Sequence, residues 1–139
     1  MEIEIMENEM LFIYNSNSVK DKVALGYVKP TTEYKVKEFN IRQETLTETQ
    51  LKEIADRLSV QPKDLMDSSS SIYMDKYANA NLSEQDILIA LKHEPDLMRT
   101  PIALYKNEAH FVGSKYEYVK KDLSYSDEKT SKANKGEKD

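Results

Sequence analysis

Five consecutive apolar residues, Met10 to Tyr14 (Met-Leu-Phe-Ile-Tyr), run directly into Asn15-Ser16-Asn17-Ser18. A run this short cannot cross a bilayer as a helix, and with no polar member it cannot keep one face in water. It suits a strand buried on both sides, which requires helices on both faces of a sheet. The short oxygen-bearing side chains after it favour a turn and a helix N-cap. One residue run thus predicts a strand, a tight turn and a helix.

The rest of the chain extends that pattern. Val19, Val23 and Tyr27 recur at i, i+4, i+8 and predict the buried face of a first helix, with Pro30 just past its end. Tyr34 to Phe39 alternates as a second strand. Thr47 with Gln50 forms a capping box ahead of Leu51, Ile54, Ala55 and Leu58, the apolar face of a second helix. Pro62, Leu65 and Met66 predict a short helical turn, and Ser68 to Ser71 a cap or loop. Ser83 with Asp86 caps a third helix carrying Ile87, Leu88 and Leu91. Ile102 to Tyr105 and Ala109 to Val112 predict an antiparallel hairpin turning at Asn107-Glu108. After Gly113, a last helix is expected to place Tyr116, Val119 and Leu123 on one face. The order β-α-β, helical insertion, β-β-α implies an α/β thioredoxin-like three-layer fold with a four-stranded mixed sheet. Its first strand-to-helix turn and the loop before Pro101 are expected to meet at one end of the sheet.

Three regions follow. Residues 1–9 form an acidic N-terminal extension whose Glu-Ile alternation is compatible with a short edge strand or a partly ordered extension. Residues 10–123 form the domain. Residues 124–139, charged and almost without apolar side chains, are expected to be disordered.

Charge and composition remove several functions. Of the net charge of -5, four units sit on Glu2, Glu4, Glu7 and Glu9, so the body is nearly balanced. An acidic leader, a neutral body and only three arginines (Arg42, Arg57, Arg99) disfavour direct nucleic-acid binding. No apolar run approaches the ~20 residues of a membrane helix, and no signal-peptide pattern opens the chain, so no membrane association and a cytoplasmic location are expected. The chain has no cysteine. Disulfides, thiolate metal sites and covalent thiol chemistry are therefore excluded for this chain itself.

The chain from Met10 to Leu123 resembles the bacterial glutaredoxin-type arsenate reductase and Spx family. Tyr14-Asn15, Ala24-Leu25, Leu88 to Leu91 with Glu94-Pro95, and Pro101-Ile102 followed by Gly113 carry the likeness. In that family the first turn reads Tyr-Asn-Pro-x-Cys-x-x-Ser-Arg; here it reads Tyr14-Asn15-Ser16-Asn17-Ser18-Val19-Lys20-Asp21-Lys22. Ser18 stands where the resemblance implies the nucleophilic cysteine. A thiol at a helix N-terminus can ionise at neutral pH; a serine hydroxyl needs an adjacent base. Asp67, Thr100 and Ser114 stand where the resemblance implies three oxyanion-holding arginines, with Arg99 displaced by one position. It also implies a cis peptide bond between Thr100 and Pro101.

The expectation is a catalytically inactive module of this fold that binds another protein in a regulatory role, with RNA polymerase a partner implied by the Spx resemblance alone and no cofactor. Its vestigial pocket comprises Tyr14, Asn15, Ser18, Lys22, Arg99, Thr100 and Pro101. One alternative is an oxyanion or glutathione-type ligand at the first helix N-terminus; another is reduction with all thiols supplied by glutathione and glutaredoxin. Plain structural roles compete at each position. Ser18 serves as an N-cap, and Lys20 and Lys22 are solvated beside Asp21. His93 and His110 lack partners at metal-ligand spacing. Tyr73 and Tyr77 pack onto the sheet rather than offering an exposed aromatic contact.

Overall fold

The structure, a computed structural model, describes residues 3–112. Its sheet has four strands, β1 (Glu9–Tyr14), β2 (Lys35–Asn40), β3 (Ile102–Tyr105) and β4 (Glu108–Phe111), in the order β2-β1-β3-β4. β2 runs parallel to β1, with Glu9 opposite Lys35 and Tyr14 opposite Asn40. β3 is antiparallel to β1, and β4 to β3. The parallel pair is joined through helix α1 (Val19–Thr31), as a parallel connection requires.

The central strands explain the apolar run. Met10 and Phe12 of β1, with Ala103 and Tyr105 of β3, face Ala24 and Val28 of α1. Ile13, Ile102 and Leu104 face the other way, onto helices α2 (Glu48–Leu58) and α3 (Glu84–His93). Side chains alternate along a strand, so one apolar run serves two cores. Each fully buried side chain among these contributes about 1.5–3 kcal/mol, more than the ~0–1 kcal/mol of an exposed ion pair such as Lys52–Glu84. The edge strand β2 presents Lys35 and Lys37 to solvent, which discourages pairing with another chain.

Both predicted capping boxes form, Thr47 with Gln50 and Ser83 with Asp86. The short turn at Pro62–Leu65 is a 3-10 helix, and Asp67 caps the serine run through the Ser69 amide and hydroxyl. The Thr100–Pro101 peptide bond is cis. Among the described residues no helix is long and apolar enough to cross a membrane.

Three expectations need correction. Pro30 lies inside α1, which continues to Thr31; a missing amide this close to the C-terminus removes one helical bond without ending the helix. The face of α1 is inverted: Val19 and Val23 are 71% and 58% exposed, while Asp21, Ala24 and Val28 are buried. Of the two readings open for the leader, the strand is absent from the described residues 3–8, and Ile3 is buried in the core. The hairpin turns at Lys106 and Asn107, where Lys106 has φ 57, so β4 begins at Glu108. Gly113, Ser114, the expected last helix and the expected disordered tail lie outside the described residues.

Candidate functional site

The turn after β1 is built by its own side chains. The Asn15 side-chain oxygen accepts the Asn17 amide at 2.8 Å, and its carbonyl accepts the Ser18 amide at 2.9 Å. The buried Asn40, ending β2, accepts the Ser16 and Arg42 amides at 3.2 and 3.1 Å. Asp96 ties in the loop after α3, accepting from the Asn15 side-chain amide at 2.9 Å and from Arg42 at 2.8 Å. Ser18 is then the N-cap of α1, its hydroxyl accepting the Asp21 amide at 3.1 Å.

Asp21 is the centre of the site. Its carboxylate is 1% exposed. One oxygen accepts the Asn15 amide at 2.9 Å and the Thr100 hydroxyl in a short hydrogen bond. The other accepts the Ser18 hydroxyl at 3.1 Å and lies 3.4 Å from the Lys20 ammonium. Lys20 also donates to the Thr100 carbonyl at 2.9 Å, closing the turn onto the residue before the cis-proline. A carboxylate in the first turn of a helix is further favoured by the positive end of the helix dipole. The Asn15 amide and the Ser18 and Thr100 hydroxyls, three donors that an incoming anion could use, are thus already bound to a carboxylate belonging to the chain.

Beside this arrangement lies a cavity of about 210 Å³, lined by Asn15, Ser18, Lys20, Asp21, Asp67, Asp96 and Thr100 among others. Two of the three positions matched to the arginine clamp, Asp67 and Thr100, are brought to it; Ser114 lies outside the described residues. Three carboxylates and one ammonium line the cavity. Like unit charges about 4 Å apart repel by about 4 kcal/mol at an effective dielectric of ~20, so an oxyanion entering here is opposed on balance.

Of the expected pocket residues, Asn15, Ser18 and Thr100 converge on Asp21, with buried Pro101 behind Thr100. The others do not. Tyr14 is half-buried with its ring 6.3 Å from that of Phe12. Lys22 is exposed, whereas Lys20 reaches back to the Thr100 carbonyl and Asp21. Arg99 points away: its guanidinium lies 3.7 Å over the Phe111 ring. The segment is extended there, bridging Met66 to Met98, so Met98 and Thr100 face the cavity while Arg99 faces the opposite side. A one-residue displacement of an arginine on extended backbone removes it from the site altogether.

Arg99 instead borders a second groove, of about 520 Å³, with Tyr73 and Tyr77. Both tyrosines are partly buried against the core, as the packing alternative held. They lie in a single π-helical turn, Tyr73–Tyr77, closed by the Ala78 amide on the Tyr73 carbonyl at 2.8 Å. The Tyr77 hydroxyl donates to Glu94 in a short hydrogen bond, which with burial and the Glu94 charge raises its pKa above the ordinary 10.0. His110 sits 3.2 Å from Glu108, and His93 is exposed at the end of α3. Neither touches Ser18. Among the described residues no cluster of three or more potential metal ligands occurs.

The residue missed by sequence reasoning is Asp21. Ser18-x-x-Asp21 has the same cap-plus-acid spacing as Ser83-x-x-Asp86, and that repetition was the available signal.

No family model and no curated protein sequence matches this chain. Solved structures do match in shape. A Yersinia pestis protein provisionally assigned as an arsenate reductase superposes with TM-score 0.72 at 17% identity, over 81% of this chain and 99% of its own. An arsenate reductase from Vibrio cholerae gives 0.71 at 17% identity, over 85% and 100%. The fold is that of the arsenate reductases. An arsenate-reductase-related protein from Brucella melitensis is similar at TM-score 0.58 and 10% identity, over 89% of this chain and 99% of its own. The arsenate-reductase fold is present here in a sequence without a cysteine.

Proposed function

We propose that this chain is a catalytically inactive protein of the arsenate-reductase fold that acts by binding another protein, as a cytoplasmic interaction or regulatory module. The observation carrying the reading is the buried Asp21 carboxylate, bound by the Asn15 amide and by the Ser18 and Thr100 hydroxyls. With serine in place of a thiol, and with the Asn15 amide and the Ser18 and Thr100 hydroxyls taken by an internal carboxylate, the turn has no ionised nucleophile and is depleted of donors for an oxyanion. A fold kept without that chemistry still offers its surface for recognition.

The decisive test is an arsenate reduction assay on the full chain with glutathione, glutaredoxin and a reductant-coupled readout. No arsenate-dependent reductant consumption above the protein-free blank is expected; turnover above the blank overturns the reading. The ligand alternative is tested by titrating sulfate, arsenate and glutathione while following the amides of Asn15 to Asp21. Saturable shifts confined to those amides would replace protein binding by small-ligand binding. Co-sedimentation with purified RNA polymerase tests the one partner the Spx resemblance implies.

A further inference from the structure

Helix α1 buries its only acid and exposes two of its valines, Val19 and Val23. Val19, Val23, Gly26 and Pro30, at i, i+4, i+7 and i+11, form a ridge directly opposite the buried Asp21, Ala24 and Val28. All four ridge residues are exposed among the described residues, Val19 at 71% and Val23 at 58%. Apolar side chains left mostly in water on the outer face of a helix contribute little to the fold's own burial.

Gly26 adds an independent observation. It sits in the middle of the helix with no positive φ, and a Cβ there would meet nothing within 4 Å. Neither backbone conformation nor packing within the described chain calls for glycine, which is an unfavourable helix residue. A missing side chain between two exposed apolar positions is what close approach by another backbone requires.

The charge around the ridge defines the visitor. Lys22 and Lys29 border one side and Lys20 the other, and no acidic side chain of α1 is exposed. Lys20 and Lys29 keep 62% and 53% side-chain exposure although Lys20 also contacts Asp21 and the Thr100 carbonyl and Lys29 pairs with Glu38, and Lys22 has no partner among the described residues. A symmetric contact between two copies of this chain would set these lysine rims against each other.

We propose that the outer face of α1 is a docking surface for an amphipathic helix of another protein, aliphatic along its contact stripe and flanked by acidic residues, seated at Gly26. The assignment rests on the protein-binding reading above and gives it a location. An aliphatic stripe fills the space over Gly26 between Val23 and Pro30, and its flanking carboxylates meet the lysine rims.

The test is selection on the full chain from a displayed library of amphipathic helices, with aliphatic stripes fixed and flanking positions randomised between Glu and Lys. Enriched helices are expected to carry Glu flanks and to shift the amides of Val19, Val23 and Gly26. Gly26→Leu, which keeps a good helix former in open space, and the Val19→Ser, Val23→Ser double variant are each expected to weaken binding at least about tenfold. Lys22→Glu is expected to move the preference toward Lys flanks. No enrichment, enrichment indifferent to flank charge, or binding that survives both Gly26→Leu and the double serine variant overturns the proposal. Self-association of the full chain that Gly26→Leu abolishes overturns the stated occupant in favour of a second copy. The reductase and anion assays read the Ser18 turn, so a failure here beside negative results there removes this surface alone.

Discussion

Thr100, the residue before the cis-proline, donates its hydroxyl to Asp21, three residues into the helix that follows the first strand. The bond joins the two loops that define this end of the sheet, and it does so through a buried charge.

Removing that charge leaves three donors facing one another. Asp21→Asn is expected to destabilise the fold by about 1–3 kcal/mol, because one oxygen that accepts hydrogen bonds becomes a donor. Asp21→Ala is expected to cost at least as much, with the Asn15 amide unsatisfied in a buried position. Urea denaturation at neutral pH measures both, and a double-mutant cycle with Thr100→Val isolates the pair. Midpoints unchanged from wild type would mean that the carboxylate does not hold the turn.

Restoring the sulfur does not restore the chemistry. In Ser18→Cys the new thiol faces the Asp21 oxygen that now lies 3.1 Å from the serine hydroxyl. A neighbouring carboxylate opposes thiolate formation, so the thiol is expected to titrate at or above the ordinary value of about 8.5. Adding Asp21→Ser is expected to lower it, as the helix N-terminus regains its attraction for an anion. Thiolate absorbance against pH reads both values. A single variant ionising well below neutral pH would contradict the electrostatic account of the site.

The contrast between α1 and the other helices explains which parts of the molecule could be read from the residues. Leu51, Ile54 and Ala55 face the core as their spacing predicts, because the largely buried polar side chains of α2, Glu53 and Arg57, pair with each other and leave that apolar face in place. In α1 the period-matching residues Val19 and Val23 are outside, since Asp21 finds three hydrogen-bond donors and Lys20 inside the fold. Hydrophobic periodicity cannot register a specific polar site that reverses it. The same limit applies to Arg99. Its position in sequence, one residue from the proline-adjacent place, gave no sign that extended backbone would turn it onto Phe111. The succession of elements along the chain, both capping boxes and the cis-proline depend on local chemistry or on the resemblance, and those were legible; the order of the strands within the sheet was not read.

Tyr77 gives a pH-dependent signature for the helical insertion. Its hydrogen bond to Glu94, reinforced by burial and the Glu94 charge, raises its pKa in the folded state above 10.0. The folded chain therefore holds the phenolic proton more tightly than the unfolded chain. This contribution is fully present below the unfolded value and is lost as pH rises from about 10 through the folded value. Denaturation midpoints of wild type and Tyr77→Phe are expected to converge over that alkaline interval, the other tyrosines being common to both. A difference that stays constant across it would show that the bond does not depend on the phenol's proton.

Gly26 separates what stabilises the chain from what it is for. Because a Cβ there meets nothing within 4 Å, Gly26→Ala is expected to stabilise the fold by about 0.5–1 kcal/mol through helix propensity alone. Thermal or urea denaturation measures it, and the far-UV spectrum should be unchanged. For a chain shaped only by stability such a substitution is a gain. If the outer face of α1 receives a partner helix, the added methyl stands where that helix sits closest, and the stabilised variant binds more weakly than wild type. Stability and affinity moving in opposite directions at one exposed position is a result that a purely structural glycine cannot produce. A stabilised variant with undiminished affinity would return Gly26 to the status of an unremarked surface residue.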